Sequence, residues 1–308
     1  MIRSRLIIPL LLGLYGVLVL TPLAGARGQE RKDEPYRLAP YKDGLFGYPR
    51  ILRSAYGGDF LRVEYIKARD LYQRDTVPMK RVRRRYLSLA TRESERDYTL
   101  REGRITVRFI GTGKISGGAK SIVIFVHGQN GTRFLGSNDQ MFGGNFNRIK
   151  NLMLRNDGAY LSPRVSDFRA RGTAEIALVM KTMAERSPGA PIFLACGSMG
   201  GAICWRIVQN RRMARLLGGL LLLGSTYDVG FLKNAAAIGR RVPIYLGHGG
   251  DDKVFDWRGQ ARFFKRLRKI APGYPVRMVL FDTGSHGTPI RMTDWREIIN
   301  WMLVVNEL

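Results

Sequence analysis

The chain has 308 residues, 45% of them hydrophobic, and 51 lysines and arginines against 25 aspartates and glutamates, a formal net charge of +26. That length and apolar content support one large packed domain or two small ones, and exclude a disordered chain and a multi-span membrane protein. The charge favours anionic partners, whether nucleic acid, acidic polysaccharide or anionic lipid.

In chain order, the basic start MIRSR, an apolar run over 6–20 and the small residues Ala24, Gly25 and Ala26 form the pattern of a signal peptide over 1–26. The apolar run is about 15 residues, short of the roughly 20 of a permanent span, and contains Pro9, Gly13 and Gly16. Export to a periplasmic or extracellular space is therefore expected ahead of an uncleaved anchor, and chromosomal nucleic acid is not an expected partner. Residues 27–59 are charged and rich in Pro, Gly and Tyr without sustained periodicity, which reads as a basic arm. A main domain is expected over 60–308.

Strand-like segments follow at 60–66, 81–89 and 104–110, separated by charge-dense stretches, which predicts an antiparallel start. After the turn-like GTGKISGG the pattern alternates. Strands are predicted at 121–128, 191–196, 220–223, 242–246 and 276–281, and helices at 145–154, 172–184, 200–216, 257–270 and 293–305. Repeated strand–helix units with short apolar strands predict a mostly parallel twisted sheet covered by helices on both faces. Little chain separates the strand ending near Gly224 from that starting near Val242, so no large cap insertion is expected there.

In such a sheet, functional groups gather in the loops at the carboxyl ends of the strands. Four of those ends carry HGQNGT (127–132), ACGSMGGA (195–202), GHGGDDKVF (247–255) and DTGSHGTP (282–289). They supply a backbone-rich loop, a serine, an acid and a histidine, the inventory of nucleophilic acyl transfer. A glycine-flanked turn from strand to helix would expose Ser198, and the Met199 amide at the start of the helix would face a developing oxyanion. The second oxyanion amide is expected from Gln129. His127 and His248 read as structural histidines. Three scattered histidines and two cysteines give no metal-ligand spacing. Cys196 and Cys204 read as small buried apolar groups rather than as a bridge.

With these four loops the chain resembles the α/β-hydrolase superfamily over 60–308. The family elbow G-x-S-x-G appears here as C-G-S-M-G, with Cys196 at the first glycine position. The resemblance implies Ser198 as nucleophile, His286 as general base and acid, and Asp252 as the orienting acid. Asp251 is the adjacent alternative, and Asp228 an outside one. It implies a serine hydrolase that cleaves a carboxylic ester without a cofactor, and the signal-peptide pattern makes that an exported one. A lipid or phospholipid acyl ester is the first substrate expectation, with the apolar loop 132–144 as the acyl-contacting wall. A short-chain or polysaccharide acetyl esterase and an acyltransferase are alternatives. A non-enzymatic, cationic envelope-binding protein on the same scaffold is a third. The basic stretch MKRVRRRY (79–86) reads either as solvated surface or as attraction to an anionic membrane or envelope surface.

Overall fold

Runs of branched and aliphatic residues bounded by glycine, proline and polar clusters form the central strands. The structure, a computed structural model, describes residues 35–236 and 240–308; the expected signal peptide and the first part of the arm lie outside them. The strands are β1 (Ile51–Ala55), β2 (Phe60–Val63), β3 (Asp75–Val77), β4 (Arg81–Val82), β5 (Arg96–Glu102), β6 (Ile105–Gly113), β7 (Ile122–Val126), β8 (Ala159–Pro163), β9 (Ile192–Gly197), β10 (Leu217–Leu223), β11 (Ile244–Gly249) and β12 (Val276–Phe281). Ten of them build one sheet in the order β1-β2-β12-β11-β10-β9-β7-β8-β6-β5, and β3 and β4 form a separate hairpin. The pairs from β2 through β12, β11, β10, β9 and β7 to β8 are parallel, while β1/β2, β8/β6 and β6/β5 are antiparallel. The antiparallel start is thus divided between the two edges of the sheet.

The helices are α1 (Asp43–Phe46), α2 (Arg133–Ser137), α3 (Asn145–Arg155), α4 (Ala170–Arg186), α5 (Gly201–Gln209), α6 (Arg211–Ala214), α7 (Val229–Asn234), α8 (Trp257–Ile270), α9 (Thr288–Met292) and α10 (Trp295–Val305). Alternation along β7 shows the layering. Ile122, Ile124 and Val126 join a core completed by Ile176 and Val179 of α4, Ile203 and Ile207 of α5 and Phe263 of α8. Val123 and Phe125 point to the other core, with Phe146 and Ile149 of α3 and Ile298 and Met302 of α10. A strand buried on both faces must read as a continuous apolar run, as IVIFV does.

Three expectations are revised by packing. The helix expected over 200–216 breaks at Asn210, whose side chain accepts from the amides of Arg212 and Met213 and so caps α6 instead of continuing α5. The strand expected over 81–89 stops at Val82, because residues 84–86 close a 3-10 turn that buries the Tyr86 ring against Phe46. Residues 35–59 are built into the core unit: Leu38 is fully buried, β1 pairs with β2, and Asp43 bonds both the buried Arg148 (2.9 Å) and Arg296 (2.9 Å). The expected boundary at residue 60 lies inside the β1–β2 pairing. Between β10 and β11 the described residues hold only the six-residue α7, in keeping with the absence of a large cap. No helix among the described residues is long and apolar enough to cross a membrane.

Candidate active site

The four loops singled out in the sequence follow β7, β9, β11 and β12, all parallel, so their carboxyl ends lie on one edge of the sheet. After β9 the chain turns sharply, with Ser198 at φ 51°, a left-handed conformation that a residue bearing a Cβ adopts only when its surroundings enforce it. The enforcing contacts are close. The Ser225 hydroxyl donates to the Ser198 carbonyl at 2.5 Å. A Cβ on Gly128 would stand 2.7 Å from the Ser198 Cβ, so only glycine lets the loop after β7 pass there.

His286, after β12, has its Nε2 2.9 Å from Ser198 Oγ and its Nδ1 2.8 Å from Asp252 Oδ2. The structure therefore joins Ser198, His286 and Asp252 in one hydrogen-bonded line. Its two ends differ in solvation: the His286 side chain is 30% exposed, whereas that of Asp252 is fully buried. Gly224, at the end of β10 with φ 55°, makes room for this line, since a Cβ there would approach the His286 carbonyl to 2.6 Å. Phe255 packs its ring edge on His286, with centroids 5.6 Å apart. Asn145 of α3 donates to the carbonyls of Ile290 and Thr293, tying down the segment after the histidine.

Burial by itself would raise the Asp252 carboxyl; hydrogen bonds from His248, His286 and the amides of Val254 and Phe255 overcome it and hold the acid well below the usual carboxylate range. Asp251 is exposed, and no hydrogen bond joins its side chain to His286. Asp228 caps α7 through the amides of Gly230 and Phe231. Gln129 follows Gly128 in the loop that presses on Ser198, and Met199 follows the serine at the head of the turn into α5. First-turn amides have no partner within their own helix and are available to a ligand. His127 is buried: its Nε2 accepts from the Val165 amide, its Nδ1 meets the Gly128 carbonyl, and burial holds its pKa below the ordinary value.

Two features differ from the sequence reading or escaped it. His248 is more than a turn histidine, because its Nε2 lies 3.3 Å from Asp252 Oδ2, the oxygen that also holds His286. The H-x-x-x-D spacing on one loop was the available signal. Cys196 and Cys204 were expected to stay separate, but the structure bridges them in a disulfide with Cα atoms 6.6 Å apart. The tight elbow folds the first turn of α5 back over the end of β9, which brings a strand end and a helix start within bridging reach.

A cavity of about 230 Å³ adjoining Phe255, the residue packed on His286, is lined by Ser225, Tyr227, Phe255, Gly259, Gln260 and Arg262, among others, and by none of Ser198, His286 and Asp252. In the loop expected to contact an acyl chain, Phe134 is 56% exposed, whereas Phe142 packs on Phe146 and would touch a Cβ at Gly287.

No family model matches the sequence, and no curated protein matches it. Solved structures do resemble it. A thermostable esterase matches with a TM-score of 0.53 at 16% identity over 69% of this chain and 63% of its own length, so the chain spans under two thirds of that protein. An esterase of Pyrococcus furiosus matches with a TM-score of 0.51 at 13% identity, over 71% of this chain and 95% of its own. With the parallel centre and helices on both faces, and with no large cap among the described residues, these likenesses give the chain the α/β-hydrolase fold.

Proposed function

We propose that the protein is a serine hydrolase that cleaves a carboxylic ester through an acyl-enzyme intermediate. The observation that carries this reading is the unbroken line Ser198 Oγ, His286, Asp252, with the serine held at φ 51°. His286 Nε2 takes the hydroxyl proton as Ser198 Oγ bonds to the ester carbonyl carbon, and the Gln129 and Met199 amides hold the resulting oxyanion. Collapse of the tetrahedral intermediate breaks the acyl–oxygen bond, and the leaving alcohol takes the proton back from Nε2. A water molecule then repeats the sequence, giving a proton to His286 and its oxygen to the acyl carbon, and releases the acid with free Ser198. Asp252 stays ionised throughout and keeps the imidazole in one tautomer. The chemistry calls on no cofactor.

A lipid acyl ester is the proposed substrate class. Support comes from the absence of a large cap among the described residues, the exposed Phe134 of α2 on the segment that follows β7, and the positive charge of the chain. Both solved structures described above are themselves esterases. Export, read from the first 26 residues, belongs to the same proposal.

Labelling with a fluorophosphonate probe tests the reaction. Ser198 is expected to carry the label, Ser198→Ala to lose it, and His286→Ala to slow it by about 10³–10⁴-fold. Absence of label on the folded parent protein would reject the hydrolase reading. Comparing long-chain phospholipid vesicles with soluble short-chain esters then tests the substrate class, and faster turnover of the short esters would favour a small-acyl esterase.

A further inference from the structure

The β3–β4 hairpin and the turn after it carry a surface that the ester chemistry leaves unused. Lys80, Arg81, Arg83, Arg84 and Arg85 are all exposed, and none forms an ion pair among the described residues. Five uncompensated charges within six positions repel one another unless an anion lies against them. Apolar side chains stand out among them: Met79 is 60% exposed, Val77 42% and Leu89 45%.

The display is rigid. Met79 sits at φ 62°, its amide donating to Asp75 Oδ2 at 2.8 Å, while the Lys80 amide donates to the Val77 carbonyl and the Thr76 hydroxyl to the Arg81 carbonyl. The base is anchored in the core: buried Asp75 takes both nitrogens of the buried Arg291, and the Val82 amide bonds the Gln140 carbonyl. The tip is therefore presented outward with little conformational freedom to lose on binding. Beside the hairpin lies a cavity of about 710 Å³, lined by Arg81 and Arg84 together with Val82, Leu87 and Leu89, and by Thr76 and Gln140. Its lining pairs cations with apolar carbon, as an amphiphilic anion would require.

We propose that this hairpin and turn are a docking surface for an anionic lipid bilayer, with the arginines on headgroup phosphates and Met79 and Val77 in the acyl boundary. Charge complementarity supplies the attraction, and the exposed apolar tip selects the occupant. A soluble polyanion would use the cations and leave Met79 and Val77 in water, whereas an interface uses both. The hairpin rests on the 138–144 loop, whose Phe142 lies against Gly287, next to His286. Docking would thus bring the ester site to the surface that holds its substrate. That link rests on the ester-hydrolase reading, whereas the docking itself does not.

The test is flotation of the full chain carrying Ser198→Ala, so that no lipid is consumed, with vesicles of phosphatidylcholine alone and of equal parts phosphatidylcholine and phosphatidylglycerol. Binding is expected to be stronger to the anionic vesicles and to weaken with salt. The combined change Lys80→Gln, Arg81→Gln, Arg84→Gln should weaken it roughly a hundredfold, about fivefold per charge. Met79→Ser alone should weaken it by up to about tenfold. Anionic-vesicle binding unchanged by the triple substitution would overturn the proposal. So would binding that Met79→Ser leaves intact and dextran sulfate displaces, because the occupant would then be a soluble polyanion. The same substitutions in the Ser198 protein should leave fluorophosphonate labelling and melting temperature unchanged. If no protein labels while the variants still lose vesicle binding, docking stands and the ester reading falls.

Discussion

At Asp252, two imidazoles share one carboxylate oxygen. His286 reaches it at 2.8 Å from the solvent side and His248 at 3.3 Å from the interior. The other nitrogen of His248 faces Gln260 Oε1, and its Nε2 also faces the Phe255 carbonyl at 2.9 Å. The Gln260 orientation is set by its amide nitrogen, which donates to the Ser225 carbonyl. Both ring nitrogens of His248 therefore meet acceptors, which a doubly protonated ring satisfies. Burial opposes that charge, but the bonds to Asp252, Phe255 and Gln260 prevail and raise its pKa above the ordinary 6.5. A raised pKa means stability that is fully present below pH 6.5 and lost as pH rises through the folded value. His248→Gln should thus cost about 3 kcal/mol below that pH and less above it, read from denaturant unfolding across pH ~5 to ~8. A deficit that grows with pH would contradict the charged ring. Asp252 has the opposite sign: lowered from 3.8, its contribution is present above that pH and lost on acidification. Asp252→Asn should lower kcat by about 10⁴-fold through the wrong imidazole tautomer. Asp251→Asn should leave kcat within about twofold, since exposed substitutions away from such contacts are nearly neutral; equal losses would return the choice between the two acids to Asp251.

At the scale of elements, the elbow between β9 and α5 is held from several sides. Gly128 passes over it, Ser225 bonds its carbonyl, and the Cys196–Cys204 bridge closes a loop with a sequence separation of 8 around Ser198. A loop of that size gives a stabilisation of about 2–3 kcal/mol from restricted unfolded-state freedom. The pair Cys196→Ala, Cys204→Ala should lose about that much in unfolding experiments. Alkylation of the oxidised, denatured parent should find no free thiol, and two modified thiols would mean that the bridge is not formed. The cysteine at the first elbow position, a departure from glycine in the sequence, is a position that the bridge occupies. Element legibility followed the continuity of the apolar run. β7, buried on both faces, was evident as IVIFV, whereas β5 was not, because its RDYTLRE sequence belongs to an edge strand with most side chains in water. β8 is as long and as fully buried as β7, but its sequence AYLSP interrupts the apolar run with Ser162 and Pro163, so it does not stand out.

For the whole molecule, the charge of +26 is a standing cost to compactness at low ionic strength. Salt screens repulsion among exposed cations, while the buried pairs of Arg148 with Asp43 and Asp294 and of Lys150 with Glu95 and Asp139 are screened much less. The melting temperature should therefore rise by ~2–4 °C, equivalent to about 1 kcal/mol, between low salt and ~0.15 M NaCl. A fall would mean that exposed ion pairs outweigh the net repulsion.

From sequence alone came the alternation of strands and helices, the four strand-end loops and the serine, acid and histidine they offer. Those features are local: they depend on hydrophobic period, turn residues and chain order, which neighbouring residues suffice to express. Tertiary structure decided what depends on partners distant in sequence. It put β1 and β2 on the edge beside β12 and β5 and β6 on the other, and distinguished Asp252 from Asp251 by which carboxylate meets His286. It also turned two cysteines into a bridge and set His248 behind the acid. Each of these follows from a distance between atoms that only packing establishes.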